Sequence, residues 1–138
     1  MKLVMYKGPA KSFYHKIAHW AIKFWTRSNY SHCELWINGI CYSSSPRDGG
    51  VRGKQINIYS GHWDVFTIDG DVEYTQKWFH DRLGKRYDWA GVSRFVFPWL
   101  PNVKNRWFCS EAIAESLQLA DPAKYSPETL FRELVKEE

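Results

Sequence analysis

The dipeptide Asn38-Gly39 constrains this chain more than any other feature of its sequence. A two-residue loop with both residues at positive φ is the tightest way to reverse a strand, and Asn-Gly is the pair that adopts it at least cost. The flanks, Ser31 to Ser45, alternate in character as a hairpin demands. With Asn38-Gly39 as the loop, Ile37 faces Ile40, Trp36 faces Cys41, Glu34 faces Ser43 and His32 faces Ser45. Side chains alternate across a strand, so His32, Glu34, Trp36, Cys41, Ser43 and Ser45 share one side. Cys33, Leu35, Ile37, Ile40 and Tyr42 share the other. That second side is apolar and is the expected core face; the first carries the polar chemistry.

Around the hairpin the pattern is mixed. Met1 to Tyr6 reads as a strand closed by Gly8-Pro9, and Ile56–Tyr59 and Trp63–Ile68 as two more, separated by Ser60-Gly61. Phe13, Ile17, Trp20 and Phe24 recur at helical spacing, predicting an amphipathic helix over 12–26. Asp71 caps a helix that Gly84 ends, 87–97 and 108–119 read as two further helices, and Ser126-Pro127-Glu128 opens the last. Helices around an antiparallel sheet make the class α+β, and 138 residues make one domain over 1–138.

Composition narrows the function classes. Apolar residues are 44% of the chain and charged residues 25%, which excludes a disordered chain. A net charge of +4 is too small to predict a nucleic-acid partner. No leader peptide and no membrane span are expected. Three cysteines, an odd number without CxxC spacing, predict free thiols in a reducing, cytoplasmic compartment rather than disulfides or a metal site. His62 and His80 have no partners at ligand spacing, and the glycines fit no phosphate-binding pattern, so neither metal nor cofactor is expected.

The candidate reacting groups are His32, Glu34 and one cysteine. His32 and Glu34 lie roughly 6–7 Å apart on the polar side of the strand, close enough for the carboxylate to fix the imidazole's tautomer and angle. A surface His beside a surface Glu would read the same way. Cys33 points to the core face and is expected to be packing. Cys41 is on the right face but pairs with Trp36, roughly 13 Å along the strand from His32. Cys109 stands at the start of a helix, where free N–H groups and the dipole favour thiolate over thiol; a buried cysteine that happens to open a helix is the alternative.

Four blocks, taken together, resemble a known family. They are Ser31-His32-Cys33-Glu34-Leu35, Ser43 to Arg52, Gly84 to Trp89, and Phe108-Cys109-Ser110-Glu111. Their order and spacing are similar to those of the permuted NlpC/P60 papain-like superfamily, nearest its YiiX/YaeF-like and phage-borne members. There the His strand precedes the Cys helix, the reverse of the papain order. The resemblance implies a permuted papain-like fold, Cys109 as nucleophile, His32 as base and Glu34 as third residue. It implies a structural role for the Gly84–Trp89 block. The implied activity is that of a cysteine hydrolase or acyltransferase on an amide or ester, covering amidases, peptidases and thioesterases.

The turn-rich stretch from Ser43 to Gly53 offers Arg47 or Arg52 to an anionic substrate group, with a solvated loop as the plainer alternative; Ser43 could support Glu34, and Trp36 wall a groove or simply pack in the core. A small molecule, a peptide or a lipid are the candidate substrates, with no obligate protein partner. Two rivals remain. The aromatic stripe and basic side of 12–26 suit peripheral contact with a membrane surface. The whole could also be a protein- or nucleic-acid-binding module with a degenerate site, in which case Cys109 would react no faster than Cys33 or Cys41.

Overall fold

The computed structural model describes residues 1–8, 30–93, 99 and 105–135. The expected helix over 12–26 lies outside the described residues. Five antiparallel strands form one sheet: β1 (Lys2–Tyr6), β2 (His32–Ile37), β3 (Ile40–Ser45), β4 (Gly50–Lys54) and β5 (Trp63–Thr67), in the order β4-β3-β2-β1-β5. Among the described residues, four α-helices accompany them: α1 (Val72–Arg82), α2 (Trp89–Ser93), α3 (Cys109–Ser116) and α4 (Pro127–Leu134). The class is α+β.

The hairpin forms in the expected register, with Ile37 opposite Ile40, Trp36 opposite Cys41 and Leu35 opposite Tyr42. Asn38 and Gly39 take φ of 49° and 89°, as the turn requires. The core lies on the Cys33 side. Leu3, Met5, Cys33, Leu35, Ile37, Tyr42 and Val51 meet Trp78 and Phe79 of α1, Ala112 and Ile113 of α3, and Leu130 of α4. The other side of the sheet carries a smaller apolar group, Val4, Cys41 and Ile58, flanked by Trp36, Ile56, Trp63 and Val65.

Two expectations need correction. Ile56–Tyr59 is not a strand: Asn57 closes a turn on itself, its side-chain oxygen accepting from Tyr59 N–H at 3.1 Å and its carbonyl from Ser60 N–H at 3.3 Å. The fourth strand is Gly50–Lys54, inside the stretch that reads as loop. It pairs with β3 from Ser45↔Gly50 to Cys41↔Lys54.

Glycine at 50 is what allows β4 to be locked in place. Val51 N–H donates to the Lys85 carbonyl, Gly84 N–H to Val51, and Tyr87 N–H to Gly49. A Cβ at Gly50 would lie 1.9 Å from the Lys85 oxygen. The 84–88 segment therefore lies directly against β4, and it passes that order on: Trp107 N–H donates to Arg86 and Asp88 N–H to Trp107.

α1 begins at its expected cap, with Asp71 Oδ1 accepting from Tyr74 N–H at 3.0 Å. α2 starts at Trp89, because Tyr87 bridges to Trp107 and Asp88 Oδ1 accepts from Gly91 N–H at 2.8 Å; residues 94–97 of that expected helix lie outside the described residues. α4 starts behind Ser126, whose hydroxyl accepts from Thr129 N–H. Among the described residues, no helix is long and apolar enough to cross a membrane.

Candidate active site

Cys109 is the first residue of α3, and its position is fixed from both sides of the chain. Upstream, the Trp107 carbonyl accepts from Ser44 Oγ of β3 and from Asp88 N–H. Downstream, Ser110 Oγ donates to the Tyr125 carbonyl at 2.6 Å, and Phe108 N–H donates to Glu111 Oε2. The helix start is thereby pinned against the sheet. Its first N–H groups have no partner within the helix, which makes this end electropositive.

His32 opens β2, and its ring lies within electrostatic reach of Cys109. The two side chains are electrostatically coupled, each shifting the titration of the other. The second ring nitrogen is committed elsewhere: His32 Nε2 lies 2.7 Å from Glu34 Oε1. Nδ1 is therefore the nitrogen left for Cys109. The imidazole stands between a thiol and a carboxylate, which is the arrangement of a nucleophile, its base and the base's orienter.

Glu34 is wholly buried, yet ionised. Burial alone would raise its pKa, but Arg52 and His32 hold it at about 2. Arg52 reaches it from β4 with a two-pronged grip, Nη1 donating to Oε2 at 2.6 Å and Nη2 donating to Oε1. Asp48 takes the third guanidinium donor, Nε, at 2.8 Å, and Lys54 Nζ donates to the same Asp48 oxygen at 2.9 Å. From Lys54 through Asp48, Arg52, Glu34 and His32 to Cys109, cationic and anionic groups alternate.

The same alternation sets the titration of the reacting pair. Desolvation would lower the His32 pKa, but the opposed charges and hydrogen bonds of Cys109 and Glu34 push it up to about 9. Cys109 moves the other way. A hydrogen bond from the Cys33 thiol is the largest influence lowering it, burial opposes, and the His32 charge, the His32 hydrogen bond and the Cys33 backbone amide complete the shift to well below the ordinary thiol value. Cys33 is raised in turn by its burial and by Cys109. Cys41, desolvated and facing the Glu34 charge, is pushed up to about 12. Of the three free thiols, Cys109 is the one whose pKa is lowered, while those of Cys33 and Cys41 are raised.

The structure thus places Cys109, His32 and Glu34 together, and it places the remaining candidates differently from one another. Arg52 is largely buried and engaged by Glu34, Asp48 and the Cys41 carbonyl rather than held out for a substrate. Ser43 does not support the Glu34 carboxylate: it is fully buried, and its hydroxyl donates to the Cys33 carbonyl at 2.7 Å. Trp36 sits at the far end of β2, with Lys2 Nζ 5.0 Å from its ring, so it walls no groove at His32. Arg47 is exposed in the Pro46–Gly49 turn, at the His32 end of the sheet, and its charge is felt by Tyr6, which pairs with His32 across β1 and β2. Cys33 is core, as expected, but it also shifts the titration of Cys109, which strand alternation alone does not reveal. Among the described residues no cluster of His, Cys, Asp or Glu is suited to a metal ion. No family model matches this sequence, and no curated protein matches it.

Proposed function

We propose that this protein is a cysteine-nucleophile hydrolase or acyltransferase with a permuted papain-like fold of the NlpC/P60 type, acting on an amide or ester bond. The observation that carries the reading is His32 held between Glu34 Oε1, 2.7 Å away, and Cys109 at the first turn of α3. The thiolate attacks the acyl carbonyl, forming a C–S bond while the carbonyl electrons move to oxygen. The Cys109 backbone N–H, in the first turn of the helix, is the natural donor to that oxyanion. His32, protonated in the resting pair, gives its proton to the departing amine or alcohol as the tetrahedral carbon collapses to a thioester. Neutral His32 then takes a proton from water, or from an acceptor nucleophile, whose attack releases the thiolate. Glu34 stays ionised throughout and stabilises the imidazolium.

A peptide, a lipid ester or a small acyl compound remains the substrate class, and the three free thiols fit a reducing compartment. The test needs no known substrate. Native protein labelled with iodoacetamide near pH 6.5 and mapped by mass spectrometry should carry the adduct on Cys109 long before Cys33 or Cys41. A panel of activated esters and peptide amides should then leave an acyl group on Cys109 that hydroxylamine removes. Equal labelling of the three thiols would return the chain to a binding module with a degenerate site.

A further inference from the structure

Arg52 spans an unusual distance to reach its carboxylate. β4 is two strands from β2, so the sheet spacing puts their backbones roughly 9–10 Å apart. Between them, on the same face, stands Ser43, opposite Arg52 in the β3–β4 ladder. The hairpin register, carried one pair past Leu35↔Tyr42, aligns Glu34 with this Ser43–Arg52 pair. Arg52 meets the Cys41 carbonyl at 3.4 Å and closes on both Glu34 oxygens. Only a guanidinium supplies two parallel donors for the carboxylate and a third for Asp48.

We propose that Arg52 is a positioning residue of the Cys109–His32–Glu34 site: its fork fixes the Glu34 carboxylate at the angle that holds His32 toward Cys109, and Asp48 anchors the fork. This rests on the thiol-nucleophile reading above. The groups involved face one another from every neighbouring element. Glu34 meets His32 along β2, Arg52 from β4, and the fields of Cys41 from β3 and Cys33 beside it. Arg52 meets Glu34 and Asp48, and His32 meets Cys109 from α3.

The physical consequence is an acid-side dependence. Glu34 is buried where an unpaired carboxylate would take up a proton. Without the guanidinium it does so at mildly acidic pH, the imidazolium loses its counter-charge, and the His32–Cys109 pair collapses to neutral thiol and imidazole. A residue that merely stabilised the sheet would lower the melting temperature and leave this titration alone.

The experiment is the rate of Cys109 alkylation by iodoacetamide from pH 4 to 9.5 for the native sequence, Arg52→Gln, Arg52→Lys and Asp48→Asn. In Arg52→Gln the acid limb should move up by about one pH unit, so that labelling at pH 5 falls roughly tenfold while the rate at pH 9 changes little. Arg52→Lys, which restores charge without the fork, should lie between the two. Asp48→Asn, altered at the partly exposed end of the network, should move the limb in the same direction by less, and it decides the matter should Arg52→Gln fail to fold. Superimposed acid limbs for the native protein, Arg52→Gln and Asp48→Asn would overturn the role of Arg52 while leaving the nucleophile standing. A native Cys109 that labels no faster than Cys33 and Cys41 would instead sink the reading beneath it, and the proposal with it.

Discussion

His32 Nε2 sits 2.7 Å from Glu34 Oε1, two residues along the same strand, and that one bond decides which ring nitrogen faces the nucleophile. Removing the Glu34 charge should therefore change reactivity before it changes shape. Glu34→Gln keeps an acceptor near His32 but no longer stabilises the imidazolium, and turnover should fall about 10²-fold or more. It also leaves Arg52 buried without its anion, so a loss of about 3 kcal/mol in stability is expected. Urea unfolding and turnover, measured on the same preparation, separate the two effects. A variant that is destabilised yet fully active would remove Glu34 from the site's chemistry.

The two shifted pKa values of the reacting pair define a window. Cys109 is thiolate above its lowered value, and His32 is imidazolium below about 9. Turnover needs both, so its profile should be a bell whose alkaline limb falls near 9 as His32 loses the proton destined for the leaving group. Alkylation needs only the thiolate, so it should show no such fall. Parallel alkaline limbs in the two measurements would mean that the proton comes from elsewhere.

The linkage of Glu34 to stability has a definite sign. Its folded pKa, about 2, lies below the ordinary 4.5, so its contribution is fully present above the ordinary value and is lost as pH falls through the folded one. Asp48 behaves likewise, held at about 2 by the guanidinium of Arg52 and the ammonium of Lys54 against a burial effect that would raise it. Thermal melts from pH 5 down to 2 should therefore steepen in the native protein and flatten in Glu34→Gln. The same slope in both would place the acid-labile groups outside this network.

Arg47 gives a test of charge at the His32 end of the sheet. It is exposed at the His32 end of the sheet, so it should raise the local concentration of anionic reagents. Iodoacetate carries a charge that iodoacetamide lacks. Arg47→Glu should lower the iodoacetate-to-iodoacetamide rate ratio at Cys109 by a few-fold at low ionic strength, and added salt should erase the difference. A ratio indifferent to both the substitution and salt would mean that Arg47 takes no part in reading substrate charge.

What could be read from sequence followed the strength of local rules. Asn38-Gly39 specified a register, and the register put His32 and Glu34 on one face. Cys109 at a helix start was readable from the apolar run after it. Arg52 was not, because Gly49, Gly50 and Gly53 among charged residues have the composition of a loop. A fainter signal was present: Pro46 to Gly49 fits a four-residue hairpin loop, after which Val51 and Arg52 alternate inward and outward. The contact between Cys33 and Cys109 was hidden for a different reason. Strand alternation puts Cys33 on the core face, but it does not report which residue of the packing helix meets it there.

That contact reverses what the sequence implied for Cys33. As plain core packing, Cys33→Ala would cost roughly 1 kcal/mol and leave chemistry untouched. The Cys33 thiol, raised by burial and by the Cys109 charge, is in turn the largest influence lowering the Cys109 pKa. A thiol is a weak donor, but here it serves a desolvated anion. Removing it should raise the Cys109 pKa by about one unit, so alkylation of Cys109 at pH 6 should drop up to tenfold and converge with the native rate toward pH 9. Cys33→Ser supplies an O–H donor in nearly the same volume and should keep much of the low-pH reactivity, which a packing role does not predict. The measurement is the pH profile of Cys109 labelling in both variants, with thermal melts to confirm that each is folded. If Cys33→Ala and Cys33→Ser both reproduce the native profile, the donor to the thiolate is His32 and the Cys33 amide alone, and the Cys33 side chain returns to the core.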